Sequence, residues 1–181
     1  MQTKLRNVVA ALLTACLLVG CKGYITSPKP LITTANATYP FPAISEVEAQ
    51  TLNENQIWEG SEGKAHLSLI DRAYRVTDPG ETAPSPDTYL LKQIEHGLFI
   101  VQARNRDEWA YGLIVHADRY YLFTFDLSDR NCASLSTLEL GAFNTIVRDD
   151  VCYVSSIMDL TGLLLHLRKK FPYPTSSFTV R

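Results

Sequence analysis

The chain lacks the short motifs that would tie it to common catalytic chemistry. It has no G-x-G-x-x-G and no P-loop, so no nucleotide is implied. It has no G-x-S-x-G elbow to expose a serine, no C-x-x-C and no cysteine beside a histidine, which leaves no marked nucleophile. Its four histidines, His66, His96, His116 and His166, stand far apart, and none forms an H-x-x-x-H pair for a metal. Cationic excess is also missing: 17 Lys and Arg face 19 Asp and Glu, a net charge of −2. Without a basic stripe a phosphate backbone has nothing to bind, so nucleic acid is excluded as a partner. No repeat of solenoid length is present. The apolar run at residues 8–19 is about a dozen residues long, too short to span a bilayer.

What is present is concentrated at the start. Lys4 and Arg6 give a basic opening, the apolar run follows, and Leu18-Val19-Gly20-Cys21 ends it. Basic, then apolar, then small is the pattern of an export signal. The cysteine at the cleavage point resembles the lipobox of bacterial lipoproteins. That resemblance covers these residues only. It implies that residues 1–20 are removed as a signal peptide and that Cys21 carries a diacylglyceryl group on its sulfur and an acyl chain on its amine. One chain binds a membrane marginally and two or three bind firmly, since each buried methylene contributes about 0.8 kcal/mol. It further implies a cell-envelope location with the body in the periplasm. Lys22, rather than Asp, follows the cysteine, which under the enteric sorting rule indicates the outer membrane over the inner.

Removal of the signal would leave 161 residues, enough for one domain with a core, carrying 15 basic and 19 acidic side chains. Cys132 and Cys152 would then be the remaining cysteines of an oxidising compartment, and we expect them to be bonded to each other. A loop of about 21 residues closed in this way stabilises by roughly 3 kcal/mol in the chain-entropy account.

Residues 21–42 read as a lipidated cysteine and a flexible tether. Pro28, Pro30, Pro40 and Pro42 sit among Thr, Ser, Asn and Ala with little charge, and proline favours extended backbone outside sheets. Residues 43–181 read as a single globular domain. Ser45 and Glu48 could form a capping box, but Val47 and Ala49 also alternate as in a strand, so residues 44–52 remain open between helix and strand. Three hairpins follow with period two: 66–70 with 73–76, 89–95 with 98–103, and 109–116 with 119–126. Short connections make them an antiparallel meander. Asp129-Arg130-Asn131 marks a turn or a helix cap. A short helix is expected over 132–140, a strand interrupted by Asp149-Asp150 over 145–154, and a clear helix from Ser156 to Pro172 with Ile157, Leu160, Leu164, Leu167 and Phe171 on one side. The expected fold is therefore α+β: an antiparallel β meander of six or seven strands, with a half-open barrel as one form, a C-terminal α-helix and one short helix.

No catalytic, cofactor or metal residue stands out. Aromatic residues crowd the third hairpin, and adjacent residues of a strand face opposite ways, so Tyr120 and Tyr121 cannot both be core. Tyr120, with His116 and His66 on the faces opposite the apolar alternation, is the expected partner surface. The reading is a non-catalytic binding or structural envelope module, partnered by an envelope protein. Its alternatives are a periplasmic inhibitor of a hydrolase, of the lysozyme-inhibitor kind, and an unrecognised envelope hydrolase.

Overall fold

The computed structural model describes residues 25–52, 58–60, 64–105, 107–118, 120–123, 132–172 and 176–181. The signal segment, Cys21 and the expected turn or helix cap at Asp129-Arg130-Asn131 lie outside these residues. The molecule is mostly β rather than α+β. Its strands are β1 (Ile25–Ser27), β2 (Ile44–Leu52), β3 (Trp58–Gly60), β4 (Ala65–Ile70), β5 (Ala73–Thr77), β6 (Tyr89–Glu95), β7 (Leu98–Asn105), β8 (Glu108–Ala117), β9 (Tyr120–Phe123), β10 (Ile146–Arg148), β11 (Val151–Tyr153) and β12 (Ser176–Val180). Among the described residues a 3₁₀ turn spans Cys132–Ser134, and two α-helices, α1 (Thr137–Gly141) and α2 (Ile157–Lys170), complete the elements.

The three expected hairpins form, as β4–β5, β6–β7 and β8–β9. Residues 44–52 are a strand, because the Val47 and Ala49 alternation buries one face. Residues 145–154 form two strands, not one: Asp149 and Asp150 both adopt positive φ (51° and 64°) and turn β10 back on β11. Such paired left-handed residues match the twist of a tight hairpin, and Asp tolerates them. The same geometry recurs at Asp71 and Arg72 (52° and 61°).

One long sheet results, mixed because β1 runs parallel to β11. β8 is its pivot. One edge of β8 pairs with β7, while the other is shared, Trp109–Tyr111 with β1 and Ile114–Ala117 with β9. From β8 the neighbours run β7, β6, β5, β4, β2, β12, β9 and lead back to β8. The sheet is thus strongly curled, but it is not a sealed barrel. β5 and β6 share the single pair Tyr74–Tyr89. Above that pair, β6 bonds instead to Thr38, whose N–H donates to the Leu91 carbonyl at 2.7 Å.

Thr38 belongs to the segment expected as a flexible tether, and here the structure corrects the sequence. Residues 25–43 are part of the folded body. β1 is a buried strand, Ile32 is 0 % exposed and Phe41 is buried. The prolines remove ladder donors as expected, but side chains far along the chain satisfy the groups that remain. Gln102 Oε1 accepts the Leu31 and Ile32 N–H groups at 2.9 and 2.8 Å, and its Nε2 donates to the Ile32 carbonyl at 2.8 Å. The Tyr111 hydroxyl accepts from Leu31 N–H at 3.0 Å. The Tyr74 hydroxyl accepts from Phe41 N–H at 3.0 Å and donates to its carbonyl at 2.9 Å. Buried backbone groups need such partners, and these three side chains supply them.

Two cores follow. The inner face of the curl holds Val47, Leu67, Val76, Leu91, Val101 and Ile114, with Phe41 of the strap, residues 25–43, packed among them. The outer face of β6, β7 and β8 is covered by the strap and by α2, which buries Leu160, Leu163, Leu164 and Leu167 against Ile100 and Leu113. Four leucines buried at about 1.5–3 kcal/mol each hold the helix there. Ser156 caps its start by accepting from Asp159 N–H, and Arg168, Lys169 and Lys170 fill its last turn, where cations oppose the helix dipole.

Candidate interaction surface

With α2 lying over β6–β8, no helix among the described residues covers the outer face of β4, β2 and β12. The inward positions of β2 are Val47 and Ala49, so Glu46, Glu48 and Gln50 point outward. His66, on β4 opposite Glu46, is exposed between buried Ala65 and Leu67. Beyond the end of β12, Arg181 continues the ladder, exchanging N–H to carbonyl bonds with Glu46 at 2.9 Å each.

The charges on this face are paired. Lys64 Nζ donates to Glu46 Oε1 at 2.6 Å, and Arg181 lies 3.4 Å from Glu48 Oε2. The bond from Lys64 holds the Glu46 carboxyl below the usual carboxylate range. Glu48, Gln50, Ser177, Phe178, Thr179 and Arg181 line a cleft of about 160 Å³. Pockets that enclose small molecules run to roughly 300–1,000 Å³. This face therefore suits contact with a polar surface more than engulfment of a ligand.

His116 stands elsewhere. Three strands lie between β4 and β8 by either route round the curl, so His66 and His116 do not share a patch. His116 is also on the inner face, in line with Ile114, and exposed because it ends that face. It stacks on its cross-strand partner Tyr121 (ring centroids 4.5 Å, planes 14° apart), which stacks in turn on Phe178 at 5.2 Å. Phe41 meets Tyr121 edge-on at 4.8 Å. Burial among these rings pushes the Tyr121 hydroxyl up. His116 is exposed, as the alternation of Trp109, Tyr111, Leu113 and Val115 leads one to expect, but it stands at the rim of a covered face: α2 lies over one face of β8 and the curl encloses the other. Tyr120 pairs with Ala117 through its backbone, and its side chain lies outside the described part.

No family model, curated protein or solved structure matches this chain. Its sites must therefore be read from their own chemistry.

Cys132 and Cys152 are joined by a disulfide, with Cα atoms 6.3 Å apart and both residues fully buried. The bond ties the 3₁₀ turn before α1 to β11. A second link joins the helices. Glu139 completes a capping box with Ser136, and its carboxylate also meets His166 Nε2 at 2.9 Å and Lys170 Nζ at 3.0 Å. The Ser136 backbone N–H, then His166 and Lys170, hold the Glu139 carboxyl well below the usual range. Among the described residues no three His, Cys, Asp or Glu side chains converge to hold a metal, and no helix is long and apolar enough to cross a membrane. Sequence reasoning missed Glu48 and Arg181 on the open face. The signal at Glu48 suggested a capping box with Ser45 and not an outward strand position, and nothing marked Arg181, because it follows β12, a five-residue strand after a Pro-rich stretch.

Proposed function

We propose that this chain is a cell-envelope lipoprotein, anchored through Cys21, whose body is a non-catalytic binding or structural module in the periplasm. The observation that carries the proposal is Leu18-Val19-Gly20-Cys21 at the end of a basic and apolar leader. The Cys132–Cys152 disulfide supports it, since such bonds persist in oxidising compartments. Lys22 favours the outer membrane over the inner. The body is a half-open barrel plugged along its seam by residues 38–41, and its open face on β4, β2 and β12 is where an envelope protein docks.

The test replaces Cys21 by serine and follows the product by cell fractionation. The proposal expects the wild-type chain in the membrane fraction and C21S released from it. A C21S product as membrane-bound as wild type would overturn the anchor. For the module, a photo-crosslinking residue at His66 in intact cells should trap one envelope protein in stoichiometric yield. Trapping a hydrolase at the same position would recast the chain as an inhibitor.

A further inference from the structure

On the open face Lys64 answers Glu46 and Arg181 answers Glu48. One strand beyond β4 a cation stands outside this pairing. Arg75 lies on β5 between Tyr74 and Val76, which both face the inner core, so its side chain is on the outer side of the curl. Its register partner on β4 is Ser68, and the partner of Ser68 on β2 is Ile44. Ile44, Ser68 and Arg75 thus form one row across three strands, beside the row of Glu46, His66 and Thr77.

The Arg75 guanidinium is fixed in place but bonded to nothing. Among the described residues no acceptor or carboxylate engages it, and its Nε is closed off from water. Buried donors are nearly always paired, so an orphan calls for an explanation. Enclosure of Nε pins the stem of the side chain and leaves the two Nη groups at the tip in solvent. A tip held in this way presents a planar fork that loses little freedom on binding, and such a fork takes a carboxylate through two parallel N–H bonds. At the other end of the same row Ile44 is 76 % exposed. Protein contacts gather arginine and apolar side chains at their centres, and this row holds both.

We infer that Arg75 receives an acidic side chain, Asp or Glu, of the envelope protein that docks on the open face, with Ile44 in apolar contact beside it. This rests on the docking face proposed above and adds the chemistry of the partner. Lys64 and Arg181 are already matched to carboxylates of their own face, whereas Arg75 is not. Glu46 and Glu48 are in turn neutralised, so an incoming carboxylate meets little repulsion from them.

The experiment uses the full-length chain in intact cells, with the photo-crosslinking residue at His66. His66 lies opposite Thr77, which makes Arg75 its diagonal neighbour across the strands, roughly 7–8 Å away. Because Arg75 makes no internal bond, Arg75→Lys should melt with the parent chain. Arg75→Glu sets two like charges together and should lower the adduct yield about tenfold. Arg75→Lys keeps the charge but loses the fork, and its yield should fall between the two. Mass spectrometry of the adduct identifies the acidic residues of the captured protein at the contact. Reversing one of them to Lys should restore the adduct with Arg75→Glu. A yield unchanged by Arg75→Glu, or a loss that no reversal restores, would overturn the assignment. Capture of a phospholipid or a glycan in place of a protein would overturn it too, as would an Arg75→Lys chain that melts far below the parent. Absence of any adduct in the parent chain would instead overturn the docking face itself, before any substitution at Arg75 is read.

Discussion

Gln102 and Ile32 hold each other by both ends of one side-chain amide, with Oε1 accepting the Ile32 N–H and Nε2 donating to the Ile32 carbonyl, each at 2.8 Å. Gln102 is fully buried on β7, and its Oε1 also takes the Leu31 N–H. It acts as a substitute strand for a segment whose prolines bar it from the sheet. Replacing it with leucine keeps the volume but leaves the buried Ile32 N–H and carbonyl unpaired, while the Leu31 N–H keeps the Tyr111 hydroxyl. Each such group costs about 1–3 kcal/mol, so Gln102→Leu should lose about 3 kcal/mol. A urea unfolding midpoint measures this. A midpoint within experimental error of wild type would show that the clamp carries no weight.

The strap as a whole predicts a truncation effect. A chain starting at Lys22 keeps β1, Ile32 and Phe41, whereas one starting at Ala43 strips them and uncovers both cores. The shorter chain should melt far below the longer one or fail to fold. Thermal unfolding followed by circular dichroism compares them, and equal melting temperatures would restore the segment to the role of a free tether.

Gly162 in the middle of α2 gives a prediction of unexpected sign. Gly→Ala inside a helix ordinarily stabilises by roughly 1 kcal/mol. Here a Cβ would stand 2.9 Å from Phe143 Cδ1, on a partly buried ring packed against the core under α2. Gly162→Ala should therefore destabilise, by about 1–3 kcal/mol as overpacking does. A higher melting temperature for the variant would show that Phe143 yields.

Acid should loosen the link between α1 and α2. The Glu139 carboxyl is depressed in the folded state from its ordinary 4.5 by the Ser136 N–H, His166 and Lys170. A depressed carboxylate contributes stability above its unfolded value and loses it as pH falls toward the folded one. The contribution is thus full near neutrality and shrinks below about pH 4.5. Glu139→Gln should melt lower than wild type at pH 7, and the gap should narrow on acidification below pH 4.5. A gap that is constant with pH would remove the carboxylate from the account. The pair is solvent-facing, so added salt should also narrow the gap.

Reduction, or a Cys132→Ser/Cys152→Ser double variant, removes a closure worth roughly 3 kcal/mol. The lower unfolding midpoint should be matched between the reduced wild type and the double variant. A reduced protein as stable as the oxidised one would contradict a structural role.

The meander was legible because its information is local. In β4–β5 and β6–β7 alternate side chains face one core and the turn residues lie between the strands. The strap, β1 and β12 were not legible. Ile25–Ser27 is three residues beside a proline-rich stretch, and its partners are Tyr111 and Cys152, far along the chain. The donors and acceptors that replace its ladder, from Tyr74, Gln102 and Tyr111, stand 33 to 82 positions away from the groups they satisfy. β8 misled for a different reason. One alternating set, Leu113 and Val115, packs toward α2, while the other, Ile114 and His116, lines the curl, so choosing one apolar face hid the second. The alternation of β4 makes the exposure of His66 legible, but the company it keeps, Glu46 and Lys64 with Glu48 and Arg181 near by, depends on β2 lying between β4 and β12.

The anchor is tested most directly by the intact mass of the protein extracted from membranes, taken before and after reduction. The account predicts a chain beginning at Cys21 with the added mass of acyl groups, gaining two hydrogens when the Cys132–Cys152 bond is reduced. A mass equal to the unprocessed 181 residues, or to a chain cut at this point without acyl mass, would contradict it.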